Sequence, residues 1–144
     1  MMLVRTFAAP SVVEGVGVFA AERIKKGTLI WQYQPTFDRL VPEEWLSTGS
    51  PVIQEFLKKY AYPAHDEPGM LVIEIDNGRL MNHSEEPNTD FTRISEGYAR
   101  RDIEEGEELL CDYREFDPEF ELLPSLVAEF ATRRSSEETG IAAQ

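Results

Sequence analysis

The amino-acid sequence predicts a single β-rich α+β domain. Its length of 144 residues fits one domain that can bury its own hydrophobic core. Short segments of strand-forming residues, separated by glycine turns, outnumber segments with helical spacing. Apolar residues make up 42% of the chain, which is typical of a folded protein. We expect the domain to cover residues 1–132 and residues 133–144 to form a polar, flexible tail.

A strand–turn–strand pattern occurs twice. In residues 19–30, Gly27 supplies the turn before a run of strand formers, Leu29 to Tyr33. In residues 98–111, Gly106 supplies the corresponding turn. Two copies are too few for a repeat protein, so the pattern indicates one small β unit used twice.

The region between the two copies has a different character. Residues 42–46 resemble a short helix with Pro42 in its first turn. Ser50 and Pro51 then read as the N-cap and first residue of a second helix. Its apolar residues fall at helical spacing and predict one apolar stripe: Val52, Ile53, Phe56, Leu57 and Tyr60.

Two further elements complete the pattern. Residues 70–75 predict a strand, and Asp76-Asn77-Gly78 is a strong turn signal. A last helix is expected to begin at Pro124, with three apolar residues on one face: Leu126, Val127 and Phe130. His65 has no partner pattern and is expected in a surface loop.

The chain is strongly acidic, with a net charge of -13. This balance argues against direct binding of nucleic acid, which needs clustered Lys and Arg. Residues 102–121 concentrate the acid, with Arg114 as their only cation. Two interpretations stay open: a solvated face, or a field that attracts a basic substrate. The carboxylates in this window are Asp102, Glu104, Glu105, Glu107, Glu108, Asp112, Glu115, Asp117, Glu119 and Glu121.

Cys111 is the single cysteine, so neither an intrachain disulfide nor a cysteine-based zinc site can form, and no metal is expected. The first residues lack the apolar run of a signal peptide, and no window approaches the roughly 18 apolar residues of a membrane span. We therefore expect a soluble intracellular protein without membrane contact, cytoplasmic or, in a eukaryote, nuclear.

Three short motifs stand out. The first, residues 14–19, holds Gly15 and Gly17, which allow backbone to approach a ligand closely. No helix with a third glycine follows, so this is not a dinucleotide fingerprint. The second, residues 79–88, reads Arg-Leu-Met-Asn-His-Ser-Glu-Glu-Pro-Asn, and the third, residues 110–113, reads Leu-Cys-Asp-Tyr.

Taken together, the three motifs resemble those of the SET-domain protein-lysine methyltransferases, over about residues 12–120. The resemblance implies several small β-sheets, a pseudo-knotted C-terminal segment and a short helical insert at about residues 36–69. It also implies transfer of a methyl group from S-adenosylmethionine, which leaves S-adenosylhomocysteine, to a lysine side-chain amine of a basic protein. Small members of this kind sometimes form homodimers to complete the site.

The resemblance also assigns roles to residues. Tyr113 matches the active-site tyrosine, and Pro87 and Asn88 match scaffold positions. Glu85 stands where the family often has a cysteine, which agrees with the absence of a zinc module. The residues that match cofactor-binding positions are Gly15, Val16, Gly17, Arg79, Asn82 and His83.

A lysine channel is implied beside Tyr113, with Tyr33, Cys111 and Phe116 in its walls. Phe116, like Phe120, has core packing as an equal alternative. Tyr33 is followed by Gln34-Pro35 where the family has Tyr-x-Gly. The small Cys111 side chain suggests addition of more than one methyl group; a reactive thiol is the rival interpretation, which nearby carboxylates disfavour.

Two other functions remain open at this stage. The altered segment at Tyr33 is compatible with a non-catalytic SET-like module that binds a basic protein segment. An acidic interaction protein without any cofactor is the third alternative. Binding of S-adenosylmethionine, and then methyl transfer, would separate the three.

Overall fold

The computed structural model describes residues 1–121, in which ten short strands form three small sheets. The fold class predicted from the sequence, a β-rich α+β domain of the SET type, is confirmed. The helix expected at Pro124 and the tail from residue 133 lie outside the described residues. No helix within residues 1–121 is both long and apolar enough to span a membrane.

The first sheet contains residues of all three sequence motifs. Its strands lie in the order β1-β2-β10-β7, with bounds Thr6–Pro10 (β1), Val16–Ala20 (β2), Glu108–Cys111 (β10) and Asn82–His83 (β7). β10 pairs with β7 in parallel, so that Leu110 is opposite Asn82 and Cys111 is opposite His83. The pairing places the second and third motifs side by side.

The other two sheets have three strands each. One has the order β3-β9-β8, with bounds Leu29–Gln32 (β3), Glu96–Ala99 (β9) and Thr89–Arg93 (β8). The other has the order β4-β6-β5, with bounds Arg39–Pro42 (β4), Met70–Ile73 (β6) and Ala61–Pro63 (β5). Strands β4 and β5 of this last sheet, with helices α1 (Trp45–Thr48) and α2 (Pro51–Tyr60), lie within the expected insert, whereas β6 follows it.

The two strand–turn–strand units meet each other directly. Gly27 and Gly106 both have a φ near +80°, the left-handed conformation that favours glycine. Each unit contributes a buried isoleucine, and the Ile24 and Ile103 backbones exchange hydrogen bonds of 2.9 and 2.8 Å. The repeated pattern therefore forms a paired β unit at the centre of the core.

The helical region differs from the prediction at the start of its first helix. Pro42 does not lie in the first turn of a helix; it ends β4, and α1 begins at Trp45. An edge strand tolerates this proline because its outer side needs no ladder hydrogen bond. In α2, Ser50 accepts a hydrogen bond from Ile53 N–H as expected, but of the apolar stripe only Leu57 is buried.

Asn88 fixes β10 in the middle of the first sheet. Its side-chain amide donates to the Glu108 carbonyl oxygen at 2.7 Å and accepts from the Leu110 N–H at 2.8 Å. The Thr89 hydroxyl donates to the Leu110 carbonyl oxygen at 2.7 Å. These side chains satisfy backbone groups of β10 that would otherwise pair with a neighbouring strand. Such contacts agree with the scaffold role that the family resemblance implies for Asn88.

Candidate active site

A cavity of about 1720 Å³ opens where the three sheets meet. Its lining includes nine of the ten residues that the sequence assigns to cofactor, channel or catalysis: Gly15, Val16, Tyr33, Arg79, Asn82, His83, Cys111, Tyr113 and Phe116. Gly17 is the exception. The folding of the chain thus brings residues from three distant motifs to one space.

The two glycines of the first motif serve different purposes. Gly15 has a φ of +47°, and a Cβ added to it would meet nothing within 4 Å, so it needs glycine for its backbone conformation. A Cβ on Gly17 would lie 2.0 Å from Glu108 Oε1. Gly17 therefore makes room for the Glu108 carboxylate rather than for a molecule in the cavity.

Asn82 holds the first motif in place. Its buried amide nitrogen donates to the Glu14 carbonyl oxygen at 3.0 Å and to Glu108 Oε1 at 2.9 Å. The Ser11 hydroxyl donates to the other Glu108 oxygen at 2.9 Å. Asn82 thereby sets the path of the backbone from Glu14 to Val16 along the cavity wall.

His83 presents its ring between two aromatic side chains. The ring centroid lies 5.3 Å from that of Tyr113 and 5.2 Å from that of Phe120. The Tyr113 backbone N–H donates to His83 Nδ1 at 3.2 Å. This bond needs a lone pair on Nδ1, so the proton of the neutral ring is on Nε2.

The Tyr113 hydroxyl points into the interior and donates to the Met81 carbonyl oxygen at 2.6 Å. Burial, with smaller contributions from Cys111 and Glu74, raises the pKa of Tyr113. The hydroxyl therefore stays protonated at neutral pH. It offers the cavity a neutral oxygen that can accept a hydrogen bond while its own proton is held by the backbone.

Aromatic rings pack around the Tyr113 side chain. Phe116 lies 5.7 Å from Tyr113 and from Phe91, and 5.2 Å from Tyr62, measured between ring centroids. Phe120 packs on Tyr113 at 5.0 Å. Phe116 both packs against the core and lines the cavity, so core packing does not remove it from the cavity wall. Such a wall is apolar and attracts a cation through the ring faces.

Cys111 is buried in the cavity wall, where its Sγ lies 3.8 Å from the Asn82 carbonyl oxygen. Burial raises the pKa of the thiol well above its usual range, and Glu74, Glu115 and Asp112 add to this effect. A thiolate is the reactive form, so these surroundings disfavour a reactive-thiol role.

The segment that departs from the family pattern is held by a buried carboxylate. The Gln34 backbone N–H donates to Asp38 Oδ2 at 2.9 Å, and the Tyr33 N–H donates to the Ser95 carbonyl oxygen at 3.0 Å. Burial, followed by Asp38, Glu67 and Asp66, raises the pKa of Tyr33. Arg79 lies exposed at the rim and donates to the Ile75 carbonyl oxygen at 3.0 Å.

Sequence reasoning missed a polar group in the cavity wall. Glu74 directly follows β6, is 8% exposed, and accepts a hydrogen bond from the Tyr62 hydroxyl at 3.3 Å. Burial raises the pKa of Glu74 to about 7. Trp31 also lines this part of the cavity. The only signal in the sequence is a carboxylate inside the apolar run of residues 70–75.

Half of the carboxylates in the acidic window of residues 102–121 form ion pairs with arginines. Arg23, Arg100, Arg101 and Arg114 form ion pairs with five of its carboxylates: Asp102, Glu104, Glu107, Asp112 and Glu115. Three of the four arginines come from outside the window. The interpretation of the window as a solvated face thus accounts for these five paired carboxylates.

The family model for the SET domain matches residues 15–114, and the chain belongs to this family. Among curated proteins, no sequence matches it.

Solved structures share the fold. Polycomb Repressive Complex 2 of Chaetomium thermophilum, as a humanized mutant bound to the inhibitor GSK126, has 24% sequence identity and a TM-score of 0.59 over 80% of this chain. A second structure of the complex from that organism has 23% identity and a TM-score of 0.58 over 76% of this chain. In both, the chain spans 15% of the length of the protein it matches.

A protein of Plasmodium falciparum, provisionally named a histone methyltransferase, has 23% identity and a TM-score of 0.53. The match covers 78% of this chain and 95% of that protein. At these identities, the likeness concerns the fold.

Proposed function

We propose that this protein is a methyltransferase that transfers a methyl group from S-adenosylmethionine to a lysine side chain of a basic protein. The observation that carries the proposal is the meeting of three motifs at one cavity. Asn82, His83 and Tyr113 line it together with the backbone of Gly15 and Val16. Membership of the SET-domain family supports the same conclusion.

The residues present fit the proposed cofactor. The open space beside Gly15 leaves backbone groups accessible, and Arg79 at the rim offers a cation for a carboxylate. His83 presents an aromatic ring and an Nε2–H donor for polar or ring contacts. When bound, S-adenosylmethionine would supply an electrophilic methyl group.

The substrate amine must reach this methyl group in its neutral form. A lysine ammonium has a pKa of about 10.4 in water. The aromatic wall of Tyr62, Tyr113 and Phe116 removes water from the amine, which lowers that pKa. The Tyr113 oxygen can then accept an N–H hydrogen bond and align the lone pair for in-line attack.

Titration calorimetry with S-adenosylmethionine tests the cofactor claim. We expect the wild-type protein to bind it and Asn82→Ala to bind at least tenfold more weakly, because the Glu14–Val16 backbone loses its anchor. Asn77→Ala removes an amide outside the cavity lining and serves as the matched control. No binding at millimolar cofactor would favour the acidic interaction protein instead.

A non-catalytic binding module is the second candidate. The observation that favours it is the Gln34-Pro35 pair after Tyr33, where the family has a glycine. Under this alternative the protein binds a basic segment, and the cofactor if present, without methyl transfer. Two results together would support the binding module. The protein would bind S-adenosylmethionine, but a basic substrate would remain unlabelled after incubation with radiolabelled cofactor.

The cavity wall beside Tyr113 also bears on how many methyl groups are added. Cys111 is small and lines the cavity close to Tyr113, so we infer that an already methylated amine still fits. Mass spectrometry of the exhausted reaction should show dimethyl or trimethyl lysine. Cys111→Phe should stop at monomethyl lysine; a monomethyl end product with the wild-type protein would contradict the inference.

A further inference from the structure

Within residues 1–121, the cavity wall holds two side chains with a buried polar atom that lacks a hydrogen-bond partner, Trp31 and Glu74, and of these only Glu74 has a carboxylate. Its Oε1 accepts from the Tyr62 hydroxyl, but its buried Oε2 has no hydrogen-bond partner within residues 1–121. The space beside Oε2 is closed on one side by Gly78, where an added Cβ would lie 1.7 Å away. The side chain is more than nine-tenths buried, and it lines the cavity with Cys111 and Tyr113.

Leaving a buried carboxylate oxygen without a donor costs free energy, unless a ligand supplies the donor. The charged and titratable groups that interact with Glu74 within residues 1–121 are the Met1 ammonium, Asp76, Asp38, Tyr62, Cys111 and Tyr113. The Met1 ammonium lowers the pKa of Glu74, but its hydrogen bonds go to the Gln32 carbonyl oxygen and Asp38. The Trp31 indole also lowers this pKa, although its N–H is outside hydrogen-bonding geometry.

We propose that the Glu74 carboxylate receives the ammonium group of the substrate lysine and accepts one of its protons beside Tyr113. This inference rests on the proposed function, since it concerns the amine that is to be methylated. In the step, one N–H bond of the ammonium breaks, its electron pair stays on nitrogen, and an O–H bond forms on Glu74. The products are a neutral amine and a neutral carboxylic acid.

Burial of both the ammonium and the carboxylate favours this proton transfer. It lowers the pKa of an ammonium and raises that of a carboxyl, so the proton affinities of the two groups converge. Two neutral partners also avoid the desolvation cost of a buried ion pair. Because the pKa of Glu74 is raised to about 7, the carboxyl can return the proton to solvent near neutral pH.

The test compares Glu74→Gln with Glu67→Gln, which removes an exposed carboxylate from the lining of the same cavity. Two probes are used: a short basic peptide with one lysine, and the same peptide with norleucine in its place. At pH 8, wild type and Glu67→Gln should bind the lysine peptide at least tenfold more tightly than the norleucine peptide. Glu74→Gln should bind both alike, and its affinity for S-adenosylmethionine should be unchanged.

The pH profile supplies the second readout. In the wild type, kcat/KM should rise through pH 7 as Glu74 ionises. In Glu74→Gln this rising limb of the pH profile should be absent, and kcat/KM at pH 8 should be about 100-fold lower than in the wild type. If Glu74→Gln does not fold, Tyr62→Phe replaces it. Loss of the Tyr62 hydrogen bond should move the limb to higher pH.

The outcomes separate the two claims. If the wild type transfers no methyl group, the proposed function and the proton transfer are both overturned. The comparison of lysine and norleucine peptides still shows whether Glu74 binds an ammonium group. If the wild type is active and Glu74→Gln matches Glu67→Gln in peptide binding and pH profile, the role of Glu74 is overturned and the proposed function stands.

Discussion

Asn82 and Tyr113 each connect the cavity to the backbone around it. Asn82 fixes the Glu14 carbonyl oxygen, and Tyr113 is fixed by the Met81 carbonyl oxygen. Both side chains therefore have set orientations before any ligand enters. Such preorganisation is what a site for in-line transfer needs, since small misplacements lower the rate steeply.

Replacing Tyr113 by Phe tests the role of its hydroxyl. The ring and its contacts with Phe116 and Phe120 remain, so we expect the fold and cofactor affinity to be preserved. Turnover of a lysine substrate should fall by about 100-fold, because the hydroxyl proposed to align the amine is gone. Steady-state rates beside calorimetric binding measure the two effects. An unchanged kcat would remove Tyr113 from the chemistry.

Glu74 should also make stability depend on pH. Its pKa is about 7 in the folded protein, against a reference value of 4.5, so the folded state favours the protonated form. The stability that this group contributes is fully present below pH 4.5 and is lost as the pH rises through 7. Relative to Glu74→Gln, the wild type should lose on the order of 3 kcal/mol of unfolding free energy over that range.

Urea unfolding at several pH values measures this difference. Glu67→Gln is the control, because its exposed carboxylate should leave the pH dependence of the wild type unchanged. A constant difference between wild type and Glu74→Gln from pH 4 to pH 8 would show that burial does not raise the pKa of Glu74.

At the level of secondary structure, the site depends on how β2, β7 and β10 pack. Glu108 begins β10, and its carboxylate accepts from Ser11 and Asn82 on the two neighbouring segments. Gly17 in β2 leaves the space that this carboxylate fills. The three strands are thus joined by one polar cluster beside the cavity.

Replacing Gly17 by Ala tests this cluster. The added Cβ would lie 2.0 Å from Glu108 Oε1, so the carboxylate must move and its bonds to Asn82 and Ser11 break. We expect a loss of about 1–3 kcal/mol in unfolding free energy. In a Glu108→Ala background the same substitution should cost much less, and equal costs in both backgrounds would contradict the cluster.

Much of this arrangement could be predicted from local patterns. The glycine turns at Gly27 and Gly106 and the Ser50 cap act within a few residues, so the sequence determines them directly. The start of α1 was mispredicted because Pro42 suits both a helix start and an edge strand. Glu74 was missed because its importance comes from the cavity beside it, which distant segments create.

For the whole molecule, the main property is its charge. The net charge is -13, although local arginines pair with half of the carboxylates in residues 102–121. Within residues 1–121, the cavity lining includes four cations, Lys58, Lys59, Arg79 and Arg93, and a larger number of acidic groups: Glu14, Glu55, Asp66, Glu67, Glu74 and Asp117. A basic protein segment should be attracted to such a surface over distances near the Debye length.

Ionic strength should therefore affect substrate and cofactor differently. Between 0.05 and 0.5 M salt, KM for a basic protein substrate should rise by roughly tenfold or more because screening weakens the attraction. The affinity for S-adenosylmethionine should change far less, since the cofactor has few charges and binds through local contacts. A KM that does not depend on salt would argue against a basic protein as substrate.

Methyl transfer to lysine at this cavity can be followed by the fate of a labelled methyl group. The protein is incubated with radiolabelled S-adenosylmethionine and two basic acceptors, mixed core histones and poly-lysine, and the acid hydrolysate is separated into amino acids. We expect label in methylated lysine, and its loss with Tyr113→Phe. Label absent from lysine with both acceptors, from a wild-type protein that binds the cofactor, would contradict the claim.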